Sequence, residues 1–330
     1  MDKKVLTDNF SRFHDYLRIS LTDSCNFRCF YCMPDGPLNC LPAKDLMSVD
    51  EIVHMAETFV RLGVKKIRLT GGEPMVRKEF AEILERLSAL PVELTMTTNG
   101  ILVDKYLPLL KKCGIRSLNV SLDSLDRETF FKITKRDQFD RVWNNIELLL
   151  REDFRVKINA VAMSNLIEKE LVDFIEITRQ VPLHVRFIEF MPFDGNKWSS
   201  NRVITASEML RFVKSEYDVV KLRDEPHATA KKYKVIGFEG TFAFITTMSE
   251  HFCGSCNRLR LTADGKLKNC LFGQDEWDLL TSLRDNQSVL PLIERAVLAK
   301  HAKLGGQLHE DFEKNEAGEI KNRSMINIGG

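Results

Sequence analysis

Six of the eight cysteines in this 330-residue chain fall into two compact groups. Cys25, Cys29 and Cys32 have the spacing C-x3-C-x2-C, and Cys253, Cys256 and Cys270 have the spacing C-x2-C-x13-C. Each group offers three thiolates. A closed structural zinc site takes four ligands, so zinc in the second group would need a partner such as His251; near the first group the nearest histidine is His14. Three thiolates also suit a [4Fe–4S] cluster that leaves one iron open to bind a cofactor or substrate through nitrogen and oxygen. Cys40 and Cys113 stand alone and read as small buried or incidental thiols. A disulfide framework does not suit a cytosolic chain of this size, because that compartment keeps thiols reduced.

Two further features could do chemistry. Gly71-Gly72-Glu73-Pro74 combines two glycines, which permit close backbone approach to a ligand, with a carboxylate able to hold an ammonium group. Arg258 and Arg260 follow directly on a cysteine of the second group. In an extended segment they share one face, and guanidinium forks suit phosphate.

The elements that must position these residues read as alternating strands and helices. Strand patterns cover 16–22, 66–70, 92–97, 117–121, 155–161 and 184–190. Helical spacing covers 52–60, 80–87, 102–110, 142–150 and 171–178. Ser48 and Glu51 form a capping-box pattern ahead of the first helix, and Gly63 stops it. Repeated βα units imply a parallel sheet, and the special loops all follow strands, where ligands bind in both barrels and open sheets. Residues 195–245 read as a transition, with a helix near 207–213 and a short β region over 235–247; a helical region starts near Leu290. No Gly-x-Gly-x-x-Gly follows the first strand and no Walker A sequence occurs.

The charge balance, 48 Lys+Arg against 47 Asp+Glu, argues against a general nucleic-acid binder. A composition 44% hydrophobic and 29% charged is that of a globular protein. No apolar run approaches the ~18 residues of a membrane helix. The first residues lack an apolar signal core, and Asp2, Asp8 and Asp15 do not suit a transit peptide, so a soluble, cytoplasmic protein is expected.

The first cysteine group, with Tyr31 just before its last member, together with Gly71-Gly72-Glu73-Pro74, resembles the radical S-adenosylmethionine (SAM) superfamily. Cys25-Asn-Phe-Arg-Cys29-Phe-Tyr-Cys32-Met-Pro, Arg68-Leu-Thr-Gly-Gly-Glu-Pro74, Thr97-Thr-Asn-Gly100, Asn119-Val-Ser-Leu-Asp123 and Arg186-Phe-Ile-Glu-Phe-Met191 narrow the resemblance to the MoaA family of GTP 3′,8-cyclases. So do Cys253-x2-Cys256-Asn-Arg-Leu-Arg-Leu-Thr-Ala-Asp-Gly265, Cys270 and the final Gly329-Gly330. The resemblance runs from about Arg18 to Gly330.

That resemblance implies a partial six-stranded (βα) TIM-like barrel over residues 1–215 and a C-terminal extension over 216–330. It implies two [4Fe–4S] clusters, one on Cys25, Cys29 and Cys32 that binds SAM, the other on Cys253, Cys256 and Cys270. Tyr31, Gly72, Glu73, Ser121 and Met191 correspond to SAM contacts. Arg18, Arg68, Thr97, Lys157, Arg258, Leu259 and Arg260 correspond to GTP contacts. Arg186 joins the catalytic site as a further phosphate ligand, with Gly329-Gly330 as a tail entering the cavity. The implied reaction cleaves SAM reductively to a 5′-deoxyadenosyl radical. That radical takes the ribose 3′ hydrogen of GTP, which gives 3′,8-cyclo-GTP, at the start of molybdenum cofactor biosynthesis. Implied partners are GTP, an electron donor such as flavodoxin or ferredoxin, and a downstream cyclic pyranopterin monophosphate synthase. No nucleic acid or membrane is implied, and both monomer and homodimer fit. Another radical SAM enzyme using its second cluster on a peptide or small molecule, and a noncatalytic iron–sulfur or zinc scaffold, are the competing readings.

Overall fold

A computed structural model describes residues 3–33 and 40–330; Asp2 and Pro34, both used above, lie outside the described residues. The strands are β1 (Tyr16–Ser20), β2 (Lys66–Thr70), β3 (Glu93–Thr98), β4 (Ser117–Ser121), β5 (Arg155–Ala162), β6 (His184–Glu189), β7 (Val219–Lys221), β8 (Ala230–Val235), β9 (Thr241–Ile245), β10 (Arg258–Leu261), β11 (Lys266–Lys268) and β12 (Trp277–Asp278). The helices are α1 (Val49–Leu62), α2 (Phe80–Ser88), α3 (Val103–Lys112), α4 (Arg127–Thr134), α5 (Phe139–Arg151), α6 (Leu171–Glu176), α7 (Ala206–Glu216), α8 (Leu279–Arg284), α9 (Leu290–Leu298) and α10 (Met325–Ile328).

Local sequence explains the entry and exit of the helices that matter most. Ser48 and Glu51 cap α1 reciprocally, and Gly63, at φ 111°, ends it in the left-handed conformation. The sequence pattern left out α4. Its start is fixed by Asp126, whose side chain accepts from the Thr129 amide, and Lys135 ends it at φ 56°. This helix braces the first cysteine loop. The Arg28 amide donates to Thr134 O at 2.8 Å, and Phe27 packs edge-on against Phe130 with ring centroids 5.6 Å apart.

All twelve strands form one sheet in the order β12-β11-β10-β1-β2-β3-β4-β5-β6-β9-β8-β7. The stretch from β10 to β9 is parallel throughout, eight strands rather than the six expected. The two additional strands come from the C-terminal half. β10 pairs with β1, β9 pairs with β6, and each continues outward into antiparallel neighbours. The expected border at 215/216 therefore divides the chain but not the sheet. Across the open side, loops from the two flanks meet: His227 Nδ1 lies 2.7 Å from Ser255 O, and Arg258 Nη2 donates to His227 O at 2.7 Å.

Strand alternation sorts the side chains. Leu17 and Ile19 on β1, Ile67 and Leu69 on β2, and Val156 and Ile158 on β5 turn into the core beneath the helices. Tyr16, Arg18, Lys66, Arg68, Lys157 and Asn159 turn to the opposite face and line a cavity. A second apolar cluster, including Phe190, Phe193, Trp198, Phe272 and Ile328, packs around the loops beyond the strand ends. Trp198 Nε1 donates to Phe190 O at 2.9 Å, so this buried indole keeps its hydrogen bond.

Candidate active site

One cavity of about 600 Å³ lies on the interior face of the sheet, with both cysteine groups on its wall. The first group sits in the loop leaving β1. The amides of Cys32 and Met33 both donate to Cys29 O at 3.1 Å. Arg28 Nη1 donates to Cys25 O at 2.5 Å and to Phe27 O at 2.7 Å. Burial, then the charge of Glu73, pushes the Cys25 thiol up to about 11. Burial and Asp123 push Cys29 well up, and burial with Cys25 and Asp123 does the same for Cys32. An unligated thiolate is therefore disfavoured here. A bound cation inverts that logic.

The chemistry of this donor set fits a cluster. The three thiols are disulfide-free, face one cavity and lie close enough to feel one another's charge. Among the described residues, no group of three or more His, Cys, Asp or Glu side chains is arranged to hold a single metal ion. A multi-iron cluster, with each thiolate on a different iron, asks for a wider spread than one ion does.

Around this loop, Tyr31 donates its hydroxyl to Asp123 Oδ2 at 2.6 Å, and Asp123 Oδ1 accepts from the Val161 amide at 2.9 Å. Tyr31, Gly72, Ser121 and Met191 all reach the cavity wall. Glu73, expected as a SAM contact, is not on that wall. Its side chain is buried and turned away from the cavity, accepting from Met75 N at 3.2 Å, Thr98 Oγ1 at 2.9 Å and Asn99 N at 2.6 Å. Burial raises its pKa to about 7. Its carboxylate ties the loop after β2 to the loop after β3. The glycines also serve differently: a Cβ on Gly72 would lie 2.3 Å from Ser24 O, so the close approach is to the cysteine loop's own backbone.

The second group is clamped from behind. Arg12 Nη1 donates to Cys253 O and Ala302 O, both at 2.7 Å, and Nη2 to His301 O at 2.8 Å. Lys300 Nζ donates to Arg258 O at 3.0 Å and also to Asn269 O. The Leu304 amide donates to Cys253 Sγ at 3.3 Å. Burial raises the Cys253 thiol. Burial also opposes the Cys256 thiolate, but Lys300 and Arg258 outweigh it and hold that thiol below its ordinary value. His251 is off the cavity wall, and His14 is buried beside Asp8, 3.4 Å from its Oδ2. Neither completes a cysteine group. Cys40 is exposed and Cys113 half-buried, both away from the cavity.

Between the two groups the wall is cationic. Arg18, Arg68, Lys157, Arg186, Arg258 and Arg260 all face it. Among the described residues no ion pair joins any of the six to a carboxylate. The buried wall acids Asp123 and Glu189 are bound elsewhere, Glu189 by the amides of Ala206, Met248 and Ser249. Arg18 Nε, Arg186 Nε and Nη2, and Arg258 Nη1 are buried without a hydrogen-bond partner. Burial, then like charges, lowers the pKa of Arg18, Arg186 (to about 9) and Lys157 (to about 8). Guanidinium groups stay charged in proteins, so this wall is matched to a polyanion that would satisfy its free donors. Thr97 joins the set, its Oγ1 3.4 Å from Arg68 Nη1. Leu259 does not: strand alternation between Arg258 and Arg260 sends its side chain into the core behind the sheet.

The tail reaches the same place. Gly329 O accepts from Arg260 Nη1 at 2.5 Å, the Gly330 amide donates to Gly71 O at 3.4 Å, and the Ile326 amide donates to Cys32 O at 3.3 Å. Upstream, Arg323 grips Asp264 with both terminal nitrogens at 3.0 Å and also contacts Glu276. A hydrogen bond to a charged group contributes about 1.5–3 kcal/mol. Arg323→Gln should therefore raise tail opening roughly 10-fold, read as faster limited proteolysis after residue 321. Unchanged cleavage kinetics would show that Arg323 does not anchor the tail.

Sequence reading passed over several residues of this site. Tyr16 and Lys66 share the face of Arg18 and Arg68 and could have been found by alternation. Lys232 and His227 lie in the transition region, where no motif pointed to them. Arg12 and Lys300 act through contacts with distant parts of the chain and leave no local signal.

Residues 19–177 match the family model described as Radical SAM superfamily, and residues 183–305 that described as Molybdenum Cofactor Synthesis C. The chain is 46% identical over 333 residues to "GTP 3′,8-cyclase, mitochondrial" of Arabidopsis thaliana, covering 99% of this chain and 84% of that protein. It is 45% identical over 339 residues to "Molybdenum cofactor biosynthesis protein 1" of Dictyostelium discoideum, covering 99% of this chain and 53% of that protein. The chain spans about half the length of several curated relatives that it matches. Among solved structures, Streptococcus suis SuiB bound to S-adenosylmethionine superposes with a TM-score of 0.57 at 18% identity, covering 85% of this chain and 65% of that one, a likeness of fold.

Proposed function

This chain belongs to the GTP 3′,8-cyclase family, and from that premise we propose that it converts GTP to 3′,8-cyclo-GTP by radical SAM chemistry in molybdenum cofactor biosynthesis. The observation that carries this reading is the buried cationic wall with unsatisfied guanidinium donors, set between two cysteine triads in one cavity. Cys25, Cys29 and Cys32 would hold a [4Fe–4S] cluster, which supplies the electron that splits SAM; Cys253, Cys256 and Cys270 would hold a second one facing the guanine. Tyr31, Gly72, Ser121 and Met191 line the end of the cavity that would take SAM, and Glu73 keeps the Gly-Gly loop in register with the loop after β3. Arg18, Arg68, Lys157, Arg186, Arg258 and Arg260 hold the triphosphate, with Thr97 beside Arg68. The tail, held by Arg260, covers the wall near Gly71.

The hydrogen lost from the ribose 3′ carbon is balanced by one electron and one proton delivered to the base, so the product is an isomer of GTP. The electron donor is a low-potential carrier such as flavodoxin or ferredoxin, and a cyclic pyranopterin monophosphate synthase consumes the product. No described helix is long and apolar enough to cross a membrane; a reducing, cytoplasmic setting remains part of the proposal. Anaerobic reconstitution with SAM, dithionite and GTP, followed by mass analysis, should yield 5′-deoxyadenosine, methionine and a cyclised GTP isomer. SAM cleavage without any GTP-derived product would redirect the reading to another radical SAM substrate.

Binding should also depend on pH. Above about pH 8 the cavity holds a neutral Lys157, because burial and the nearby Arg186 and Arg68 disfavour its ammonium form. A bound triphosphate favours the ammonium. GTP should therefore bind more weakly as the pH rises from about 7 to about 9, with proton uptake on binding. Calorimetry in buffers of different ionisation enthalpy measures that uptake, and Lys157→Met should reduce it. A flat pH profile for the parent protein would contradict this.

A further inference from the structure

We propose that Tyr16 is a positioning residue that braces Arg68 and Arg258 into a preset cradle for the triphosphate, an inference that rests on the GTP reading above. Tyr16 lies in β1 between Arg258 of β10 and Lys66 of β2, its direct register partners on either side. The three side chains therefore rise side by side from one face of the sheet. The phenol ring serves three cations: Lys66 Nζ is 5.8 Å, the Arg68 guanidinium 6.0 Å and the Arg258 guanidinium 5.9 Å from its centroid. Cation–π attraction of this kind strengthens when water is excluded. The hydroxyl accepts a hydrogen bond from Arg68 Nε at 2.5 Å. Arg68 Nη1 is meanwhile fixed to Met96 O at 3.1 Å. Two edges of the guanidinium are thus held by protein, and its planar fork is set before any ligand arrives.

The same contacts answer a problem of like charge. Arg18, Arg68 and Arg258 crowd one wall with no carboxylate among them, as a site for a polyanion requires. A carboxylate there would compete with the phosphates. Below about pH 8 the phenol offers an acceptor oxygen and a π face while carrying no charge, so it steadies the cations without cancelling them. Burial alone would raise the hydroxyl's pKa; Arg68 and Arg18 outweigh it and bring it to about 8. Tyr16 thus sits in a strongly positive field.

The test uses the full-length, anaerobically reconstituted protein. Tyr16→Phe keeps the ring and loses the acceptor; Tyr16→Leu loses both. The expected result is a rise in GTP Kd of about 5- to 10-fold for Tyr16→Phe and more for Tyr16→Leu, with iron content and GTP-independent SAM cleavage unchanged. A double-mutant cycle adds a readout that general loosening would not give. Tyr16→Phe and Arg68→Met should be strongly non-additive, because the tyrosine acts through that arginine, while Tyr16→Phe and Lys157→Met should be close to additive. Affinity for GTP within twofold of the parent in both Tyr16 variants, or equal additivity in the two cycles, overturns the proposal. Inorganic tripolyphosphate serves as a second probe. A parent protein that binds it but not GTP defeats the nucleotide reading, and the Tyr16 comparison is then decided with tripolyphosphate. A parent that binds neither overturns both.

Discussion

Cys29→Ala should abolish reductive SAM cleavage and with it all cyclised product, whereas Cys256→Ala should keep SAM cleavage and lose only the product. Composition makes the two triads equivalent; their surroundings do not. Cys29 lies in a loop sutured to Gly71-Gly72, flanked by Tyr31 and Asp123, with carboxylate charge nearby. Cys256 adjoins Arg258, and Arg258, Lys300 and Arg12 all bias it towards the thiolate. The first triad therefore faces the part of the cavity that would receive SAM, and the second faces the part that would receive the triphosphate and base. Iron should fall by about half in either variant if each chain holds two clusters of one type. Two measurements decide the matter: 5′-deoxyadenosine formed under dithionite, and cyclised product formed from GTP. Normal GTP conversion by Cys256→Ala, or zinc at that site after anaerobic purification, would end the proposed division of labour.

Legibility in the sequence followed the range of the interaction. The capping box at Ser48 and Glu51, the stop at Gly63 and the alternation of Leu17 and Ile19 are local, and each takes the form expected of it. The parallel strands from β1 to β6 follow from repeated units in the first half of the chain. Strand β9 falls inside the β region expected over 235–247, but its place beside β6 was not legible, and β10 was not read as a strand of the sheet; together they complete the eight-stranded parallel run. β10, Arg258-Leu-Arg-Leu, carries a half-buried and a buried arginine where a core strand is expected to be apolar. Its pairing with β1 spans most of the sequence and is fixed by tertiary packing, not by propensity. The site shows the same division. Motifs pointed to the cysteines and to most of the arginines that share the cavity wall, because chemistry constrains spacing. They carried no direction for the side chains of Leu259 and Glu73. Leu259 alternates away into the core, and Glu73 is captured by Thr98 and Asn99 from the neighbouring loop. Arg12, clamping Cys253 from the other end of the chain, could be seen only once the chain was folded.

Gly72→Ala should cost about 10- to 100-fold in SAM cleavage while leaving the second cysteine group loaded. A Cβ at this position would lie 2.3 Å from Ser24 O and 2.6 Å from Ser24 C, which are backbone atoms and cannot swing aside. The two strands of backbone are also pinned together there: the Gly72 amide donates to Thr22 O at 2.7 Å, and the Glu73 amide to Ser24 O at 2.9 Å. Overpacking a tight site typically costs about 1–3 kcal/mol. The fold, with a large core elsewhere, should survive that as a lowered Tm. Relief must come from moving the Thr22–Ser24 segment, and Cys25 is the next residue. Asn99 carries the displacement further, because it bonds Asn26 Oδ1 at 2.6 Å and approaches Cys25 Sγ at 3.8 Å. The matching control is Gly254→Ala, in the turn between Cys253 and Cys256, where an added Cβ meets nothing within 4 Å and no left-handed backbone is required. That variant should retain near-parental iron content, SAM cleavage and product. Glycine in the first cysteine neighbourhood is thus demanded by packing, and in the second it is replaceable. Parental SAM cleavage by Gly72→Ala would show that the cysteine loop can shift without losing its function.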